Sequence, residues 1–266
     1  MRIDIKENNL KIAIKAAIKA GEKLIHNFEM TQSILTKKSK RDISTKVDFE
    51  AEQTILDIIL KKNKKQTILF EEKGFFGKNK SNFWIVDALD GTVNYLNRIP
   101  IFASSIAYFE KKDFIIGCIY NPVTRELYYS CEKKQVFKNS LKLNIKLKKF
   151  SDSLFAMSFS GQKKNSKIRN KESRLFMAYN DNSRGCLRTG SLAVNLAYFC
   201  EGKFDGCIGH EAKIWDAAAG LCLAKNVGAK ISYKIVKKNR INFVVGNEIN
   251  FENIKKYYEK YMGKTL

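Results

Sequence analysis

Apolar and polar positions follow one period at the start of the chain and another beyond it. Over residues 8–29 the apolar side chains recur at helical spacing with lysines opposite, which predicts a long amphipathic helix. The predicted apolar face comprises Leu10, Ile14, Ala17, Ile18, Gly21, Ile25 and Phe28. Short apolar runs then predict strands at residues 67–70, 83–86, 101–109, 114–120 and 126–131. Because tight turns connect the later runs, they indicate a meandering antiparallel sheet.

The second half of the chain alternates short apolar runs with helical patterns. The predicted strands lie at residues 154–159, 186–187, 204–208, 229–233 and 242–246. The predicted helices lie at residues 171–180, 192–201, 217–224 and 250–261. With 266 residues and neither a repeat nor a linker in view, the chain fits one large α/β domain or two closely packed lobes.

Carboxylates stand where one buried strand ends. The run 83–86 leads into Asp87 and Asp90, and Gly91 and Thr92 follow directly. Glycine permits a tight turn, and a threonine hydroxyl can cap a helix start. Two carboxylates this close repel each other unless a proton or a cation lies between them, so the pair indicates a metal site. A surface turn rich in Asp and Gly is the alternative for this motif alone.

Further acids stand at comparable places. Glu71 and Glu72 follow the strand at residues 67–70, and Asp216 precedes a helix whose dipole it could simply complement. Asp48 is a good N-cap for the helical pattern after it, whereas capping leaves Asp42 unexplained. These acids predict a shared site at the strand ends.

A second helix start could bind an anion. Arg188, Thr189, Gly190 and Ser191 precede the helix at residues 192–201 and offer hydroxyls and free backbone amides. Many ordinary helices begin in the same way, so both interpretations stay open at this point.

Composition narrows the class of protein. The net charge of +22 comes from 49 basic and 27 acidic residues, and the excess is spread along the chain. A dispersed excess is typical of a solvated surface and makes nucleic acid an unlikely partner, although it would attract phosphorylated substrates. No run of eighteen apolar residues and no secretory signal is visible. We therefore expect a cytoplasmic enzyme without a membrane partner.

Cysteine and histidine usage points to oxygen ligands. The six cysteines contain no CxxC pair and are expected to be reduced core residues. Only two histidines, His26 and His210, are present. Any metal would therefore be held by carboxylates.

Five motifs together resemble the inositol monophosphatase family of lithium-sensitive, magnesium-dependent phosphatases. Residues 70–72 resemble its GEE element, 84–94 its WVVDPIDGTxN element and 215–220 its WDxAAG element. Residues 188–193 resemble its RxxGSAA helix start, and 42–48 its DxxTxxD loop. The resemblance implies a layered αβαβα sandwich of the inositol monophosphatase and fructose-1,6-bisphosphatase type. It implies a single domain with an N-terminal lobe over about 1–150 and a C-terminal lobe over about 151–266.

The resemblance also implies a metal site. Glu71, Asp87 and the Leu89 carbonyl would hold one Mg²⁺ ion, and Asp87, Asp90 and Asp216 a second, with two or three ions in all. Magnesium suits such a set because it binds through a few carboxylates, waters and the substrate phosphate. Two ions of this kind activate a water for in-line attack and neutralise the leaving oxygen.

Catalytic and substrate roles follow from the same resemblance. Thr92 and Asp48 would orient and deprotonate the attacking water, with Glu71 as the third catalytic residue. The substrate-binding positions would be Gly91, Thr92, Arg188, Gly190 and Ser191. Lys37 and Asp42 would belong to a mobile loop that closes over the metals.

The resemblance implies a Mg²⁺-dependent phosphomonoesterase that acts on a small phosphorylated substrate and is dimeric. The favoured substrate is inositol monophosphate or a related sugar phosphate. The alternatives are 3'-phosphoadenosine 5'-phosphate, fructose 1,6-bisphosphate and histidinol phosphate. A hypothesis of another class is a regulator that binds RNA or a transcription complex on the same fold.

Two departures from the family pattern bear on these expectations. Ala88 replaces the usual proline, which loosens the turn and leaves its ligands in place. Gly209 stands seven residues before Asp216, where many inositol-selective members have a glutamate that contacts substrate hydroxyls. Substrate choice therefore stays open.

Overall fold

The strands of the protein form two main sheets, and a computed structural model describes residues 2–28, 34–39, 42–79, 81–131, 135–160, 166–237 and 239–266. The side chains of residues 2–5, 34–39, 42–45 and 166 lie outside this description. The helices are α1 (Arg2–Phe28), α2 (Lys46–Lys62), α3 (Thr92–Leu96), α4 (Ser166–Asp181), α5 (Leu192–Glu201), α6 (Ile214–Asn226) and α7 (Phe251–Met262).

The strands fall into a hairpin and the two main sheets. The hairpin consists of β1 (Ile34–Ser39) and β2 (Asp42–Thr45). The first sheet contains β3 (Ile68–Phe70), β4 (Phe75–Phe76), β5 (Asn82–Asp90), β6 (Ala103–Glu110), β7 (Asp113–Asn121), β8 (Glu126–Cys131), β9 (Val136–Lys138) and β10 (Leu141–Leu143). The second contains β11 (Leu154–Ser158), β12 (Gly185–Leu187), β13 (Gly206–Lys213), β14 (Lys230–Lys237) and β15 (Arg240–Gly246).

The first sheet is the predicted meander with one parallel pair. Its order is β10-β9-β8-β7-β6-β5-β3-β4, and all neighbours are antiparallel except β3 and β5. In that pair Phe70 lies opposite Val86, so both strands end at the same edge. Strand side chains alternate between faces, which is why Val86 packs towards α1 and α2 while Ile85 packs towards α5 and α6.

The first helical layer consists of α1 and α2, packed against one face of that sheet. The predicted N-terminal helix is confirmed, but its buried stripe is displaced from the predicted face. It contains Ile12, Ala13, Ala16, Ala17, Ala20 and Leu24, whereas Ile25 is exposed. Small alanine side chains suit close packing against α2 and the first sheet, and the larger Leu10, Ile14 and Phe28 pack, partly buried, against the same core.

The remaining helices complete the layers. The second sheet has the order β12-β11-β13-β15-β14, with β11 parallel to both of its neighbours. Helices α5 and α6 lie in the core between the two sheets, and α4 and α7 cover the outer face of the second sheet. The expected αβαβα sandwich is therefore confirmed.

Two local predictions are wrong. The polar stretch at residues 36–47, predicted as an irregular loop, contains most of the β1–β2 hairpin and the start of α2. The side chains of Lys37 and Asp42, assigned to that loop, lie outside the described part of the chain. Helix α2 begins at Lys46, so Asp48 lies in its first turn and is not the N-cap.

The six cysteines are free, as predicted, and only Cys131 is partly exposed. The buried ones are Cys118, Cys186, Cys200, Cys207 and Cys222. Burial raises the pKa of these five thiols above the usual range. Among the described helices, none is both long and apolar enough to cross a bilayer.

Candidate functional site

Three carboxylates meet at the edge where β3 and β5 end. Because Phe70 is opposite Val86, Glu71 and Asp87 leave the sheet side by side. Asp216 arrives from the first turn of α6. Carboxylate oxygens of Glu71, Asp87 and Asp216 all lie within 4.8 Å of one another. Residues far apart in sequence thus form one acidic cluster.

The acidic cluster is electrostatically unfavourable without a cation. Burial, followed by the charge of Glu71, raises the pKa of Asp87 well above its usual range. Burial, followed by the charge of Asp90, does the same to the pKa of Asp216. Burial raises the pKa of Asp90 to about 6, although hydrogen bonds from Ser191 and Ala193 oppose the shift. Neighbouring like charges and low polarity both favour the protonated forms.

Lys213 supplies positive charge to the acidic cluster. Its Nζ forms an ion pair with Glu71 Oε1. Burial lowers the pKa of Lys213, but the charges of Glu71 and Asp216 outweigh it and hold the pKa above the usual value. Sequence reasoning missed this residue. The signal was its place three residues before Asp216, where β13 ends and α6 begins.

The acidic cluster fits a hard divalent cation. Its members offer only carboxylate oxygens, which are the ligands that Mg²⁺ and Mn²⁺ prefer. Asp216 Oδ1 is buried and has no hydrogen-bond partner. A buried acceptor without a partner is costly, and a bound cation would satisfy it.

Asp90 joins the acidic side of the site to α5. Its Oδ2 accepts hydrogen bonds from Ser191 Oγ at 2.6 Å and from the Ala193 backbone N–H at 2.7 Å. Ser191 is the N-cap of α5, where its Oγ also accepts from the Val194 N–H at 3.3 Å. The sequence left open whether this helix start binds an anion or is an ordinary helix start. The anion found there is the protein's own Asp90 carboxylate.

A tight turn after Asp90 brings the next predicted residues to the site. Gly91 has φ of 100°, and a Cβ at this position would lie 2.9 Å from the Ile101 carbonyl oxygen, so only glycine fits without strain. Thr92 Oγ1 donates to the Leu89 carbonyl at 3.2 Å. The Leu89 N–H in turn donates to Asp87 Oδ1 at 3.0 Å. Backbone and side-chain contacts thus fix the shape of the turn.

Gly190 lies against this turn from the other side. Asn94 Nδ2 donates to the Ile101 carbonyl at 2.7 Å and to the Thr189 carbonyl at 2.8 Å. A Cβ on Gly190 would come within 2.5 Å of Asn94 Oδ1. Asn94 therefore ties the Gly190 loop to the helix that follows Gly91, a role not predicted from the sequence.

Two further predicted site residues, Asp48 and Arg188, interact with aromatic side chains. Asp48 is buried, and after burial itself its charge is the largest influence that raises the pKa of Tyr95 in α3. The charge of Asp48 therefore acts on Tyr95 in the short helix that starts with Thr92. The Arg188 guanidinium lies 5.4 Å from the centre of the Phe159 ring.

The position of the family's hydroxyl-binding glutamate is closed. A side chain on Gly209 would collide with the Phe243 ring. Glu211, two residues further along, is buried, and its Oε1 accepts from Lys237 Nζ at 2.7 Å. A glutamate at position 209 could not be added without moving Phe243.

A model of the inositol monophosphatase family matches residues 6–248. The chain belongs to the inositol monophosphatase family. It is 32% identical over 250 residues to the inositol-1-monophosphatase of Mesorhizobium japonicum, covering 90% of this chain and 92% of that one. It is 33% identical over 228 residues to the Nus factor SuhB of Escherichia coli, covering 84% of each chain.

Solved structures give the same inositol monophosphatase fold. The extragenic suppressor protein suhB from Bartonella henselae superposes with a TM-score of 0.85 at 27% identity, covering 95% of this chain and 99% of that one. An IMPase from Thermotoga maritima gives a TM-score of 0.85 at 24% identity, with 96% and 98% covered. The similarity to the Thermotoga maritima protein supports the fold and nothing further.

The acidic cluster and Asp90 should make the metal-free protein more stable as the pH falls. Because the folded pKa of Asp90 is about 6 and its ordinary value is 3.8, the folded state binds its proton more tightly. The resulting stability is fully present below the ordinary pKa and is lost as the pH rises through about 6. Between pH 8 and pH 5.5, Asp90 alone should add about 1 kcal/mol, or about 2–4 °C in melting temperature.

Thermal unfolding in EDTA at several pH values measures this effect. Asp90→Asn removes one titrating group and should reduce the slope by the share of Asp90, while Asp87 and Asp216, whose pKa values are also raised, keep the remainder. A wild-type melting temperature that is constant or falls towards pH 5.5, with the same slope in the variant, would contradict the assignment.

Proposed function

We propose that the protein is a Mg²⁺-dependent phosphomonoesterase acting on a small phosphorylated metabolite, with inositol monophosphate or a related sugar phosphate as the favoured substrate. The observation that carries the proposal is the acidic cluster of Glu71, Asp87 and Asp216, in which Asp87 is buried and the other two are partly buried, beside the buried Asp90. Four acids around one edge need cations, and a phosphate ester supplies further oxygen ligands to such cations.

The proposed ligands come from the first sheet and from helix α6. Glu71 and Asp87 hold their places through the β3–β5 pair, and Asp216 through α6. Asp90 can offer Oδ1 while Oδ2 stays bound to α5. The Leu89 carbonyl accepts from Thr92 and keeps a second lone pair for a ligand role. When bound, Mg²⁺ would act as a Lewis acid towards the phosphoryl group and make a water acidic enough to attack it.

The protein's own groups would orient and deprotonate the attacking water. Thr92 Oγ1, which donates to the Leu89 carbonyl in this structure, would turn from that contact, accept the water's proton and pass its own to the Asp48 carboxylate. The Gly91 and Thr92 backbone N–H groups would hold the phosphate oxygens, as the family resemblance implies. Lys213, charged and next to Glu71, adds positive charge where the phosphate enters.

Residues outside the acidic cluster would select the group that carries the phosphate. The closed position at Gly209 removes the glutamate expected of inositol-selective members. Sugar bisphosphates, histidinol phosphate and 3'-phosphoadenosine 5'-phosphate are therefore tested with inositol monophosphate. Arg188, Gly190 and Ser191 would line the substrate end. We propose a homodimer, as the family resemblance implies.

Phosphate release from this panel, with Mg²⁺ and then with Li⁺ added, tests the proposed function. We expect Mg²⁺-dependent release from at least one substrate, abolition by EDTA and inhibition by Li⁺. Absence of release from every member of the panel, in protein shown to be folded, would overturn the proposal.

A second candidate function is binding to RNA or to a transcription complex. Relatives at 31–34% identity are named Nus factor SuhB, and this is the observation that favours the second candidate, because the net charge of +22 is spread along the chain. The two functions can be separated because binding would not need the acidic cluster. RNA affinity in a filter assay that falls with salt and is unchanged in Asp90→Asn would support this candidate.

A further inference from the structure

Glu52 is a charged residue buried one helical turn after Asp48. It lies in α2, and its side chain is 1% exposed. A buried carboxylate is costly unless its oxygens accept hydrogen bonds. Both oxygens do so: Oε1 accepts from the Glu72 backbone N–H at 2.8 Å, and Oε2 from the Lys73 backbone N–H at 3.2 Å.

These two N–H groups belong to the peptides that directly follow Glu71. The same turn is closed by the Phe70 N–H, which donates to the Gly74 carbonyl at 2.9 Å. The Lys73 side chain ties the turn to α2 again, because its Nζ donates to Gln53 Oε1 at 3.0 Å. Glu71 therefore stands between a strand that fixes its N-terminal side and a helix that fixes its C-terminal side.

We infer that Glu52 is the positioning residue for Glu71, and that the affinity of the acidic cluster for a divalent cation depends on a carboxylate outside that cluster. The inference rests on the proposed function, since it assumes that Glu71 binds a metal. Its physical basis is the geometry of the turn. Two hydrogen bonds to one carboxylate fix the orientation of two successive peptides, and these set the direction of the Glu71 side chain.

Substitution of Glu52 by glutamine tests the inference with little change in shape. The carboxamide keeps one acceptor oxygen, but its NH₂ group must face a backbone N–H, so one hydrogen bond is lost and two donors oppose each other. We expect a ten- to hundredfold weaker affinity for Mn²⁺, the magnitude typical of groups that orient metal ligands. Electron paramagnetic resonance of free Mn²⁺ gives the dissociation constant and the number of sites without any substrate.

The matched control is Glu50→Gln in the same helix. Glu50 is half-exposed and pairs with Lys46 at 3.7 Å, so its neutral variant should bind Mn²⁺ as the wild type does. Steady-state kinetics provide a second measurement. In Glu52→Gln the half-saturating Mg²⁺ concentration should rise by the same factor, while kcat at saturating Mg²⁺ stays within about threefold of the wild type.

The outcomes separate the inference from the proposed function. A wild-type protein that binds no Mn²⁺ would overturn the proposed function and the inference with it. Wild-type binding with an unchanged dissociation constant in folded Glu52→Gln would overturn the inference alone. A merely structural role would lower the number of folded sites without changing their dissociation constant. If the glutamine variant does not fold, Glu52→Asp is measured, whose shorter side chain cannot span both hydrogen bonds, and an affinity equal to that of the wild type would be decisive against the inference.

Discussion

Asp90→Asn should lower Mg²⁺-dependent phosphate release by at least about a thousandfold and leave the protein folded. The loss follows because Lewis-acid stabilisation is worth several kcal/mol and each 1.36 kcal/mol is a factor of ten in rate. The fold survives because the carboxamide oxygen can still accept from Ser191 Oγ and the Ala193 N–H. Its NH₂ group would then point towards the cations and repel them.

Kinetics at saturating substrate measure the loss of phosphate release, and circular dichroism measures whether the variant is folded. Asp113→Asn is a matched control, because Asp113 lies in the same sheet but pairs with Lys225 on the surface. The control should keep wild-type activity, since exposed ion pairs contribute little. Asp90→Asn turnover within tenfold of the wild type would refute the ligand assignment.

Gly117→Ala should destabilise the protein and also lower its kcat. Gly117 lies on β7 beneath α6, and an added Cβ would collide with the Ala219 backbone carbonyl. Helix α6 cannot simply retreat, because Gly220 on the same helix is packed as tightly against Leu196. We expect a loss of about 2–3 kcal/mol, typical of overpacking. Displacement of α6 would carry Asp216 with it and lower kcat by about tenfold to a hundredfold.

Thermal unfolding and Mg²⁺-dependent kinetics test this second prediction. The melting temperature should fall by about 5–10 °C for a chain of this size. Gly228→Ala is the control, because it follows the same helix and has no atom within 4 Å of an added Cβ. It should cost only the strain of its φ of 95°, about 1–2 kcal/mol, with kcat unchanged. A fully active Gly117→Ala protein would contradict the prediction that the substitution displaces α6 and Asp216.

Much of the fold could be predicted because local patterns agree with the tertiary structure. The strand ending at Val86, the helix beginning at Leu192 and the turn at Gly91 each follow from the residues nearby. The convergence of Glu71 and Asp87 could be expected once their strands were taken as neighbours. Strands β3 and β5 pair in parallel, and this places Glu71 and Asp87 side by side at their ends.

The missed features depend on contacts between distant segments. Lys213 was overlooked because nothing local connects it to Glu71, more than 140 residues earlier. Glu52 looked like an ordinary acid in the first half of an amphipathic helix, and only the fold brings it to the turn after Glu71. The N-terminal helix was correct in type and wrong in its buried face. The most buried positions of that helix are mostly alanines, whose small side chains give a weak hydrophobic signal in the sequence.

The five buried thiols make the folded protein resistant to oxidation and vulnerable once it opens. A raised pKa and the absence of solvent contact leave little thiolate for alkylating agents or peroxide to attack. Each unfolding event exposes all of them together, so random disulfide formation would compete with refolding. The rate at which these five thiols are labelled, as distinct from the partly exposed Cys131, therefore measures how often this chain loses its tertiary structure.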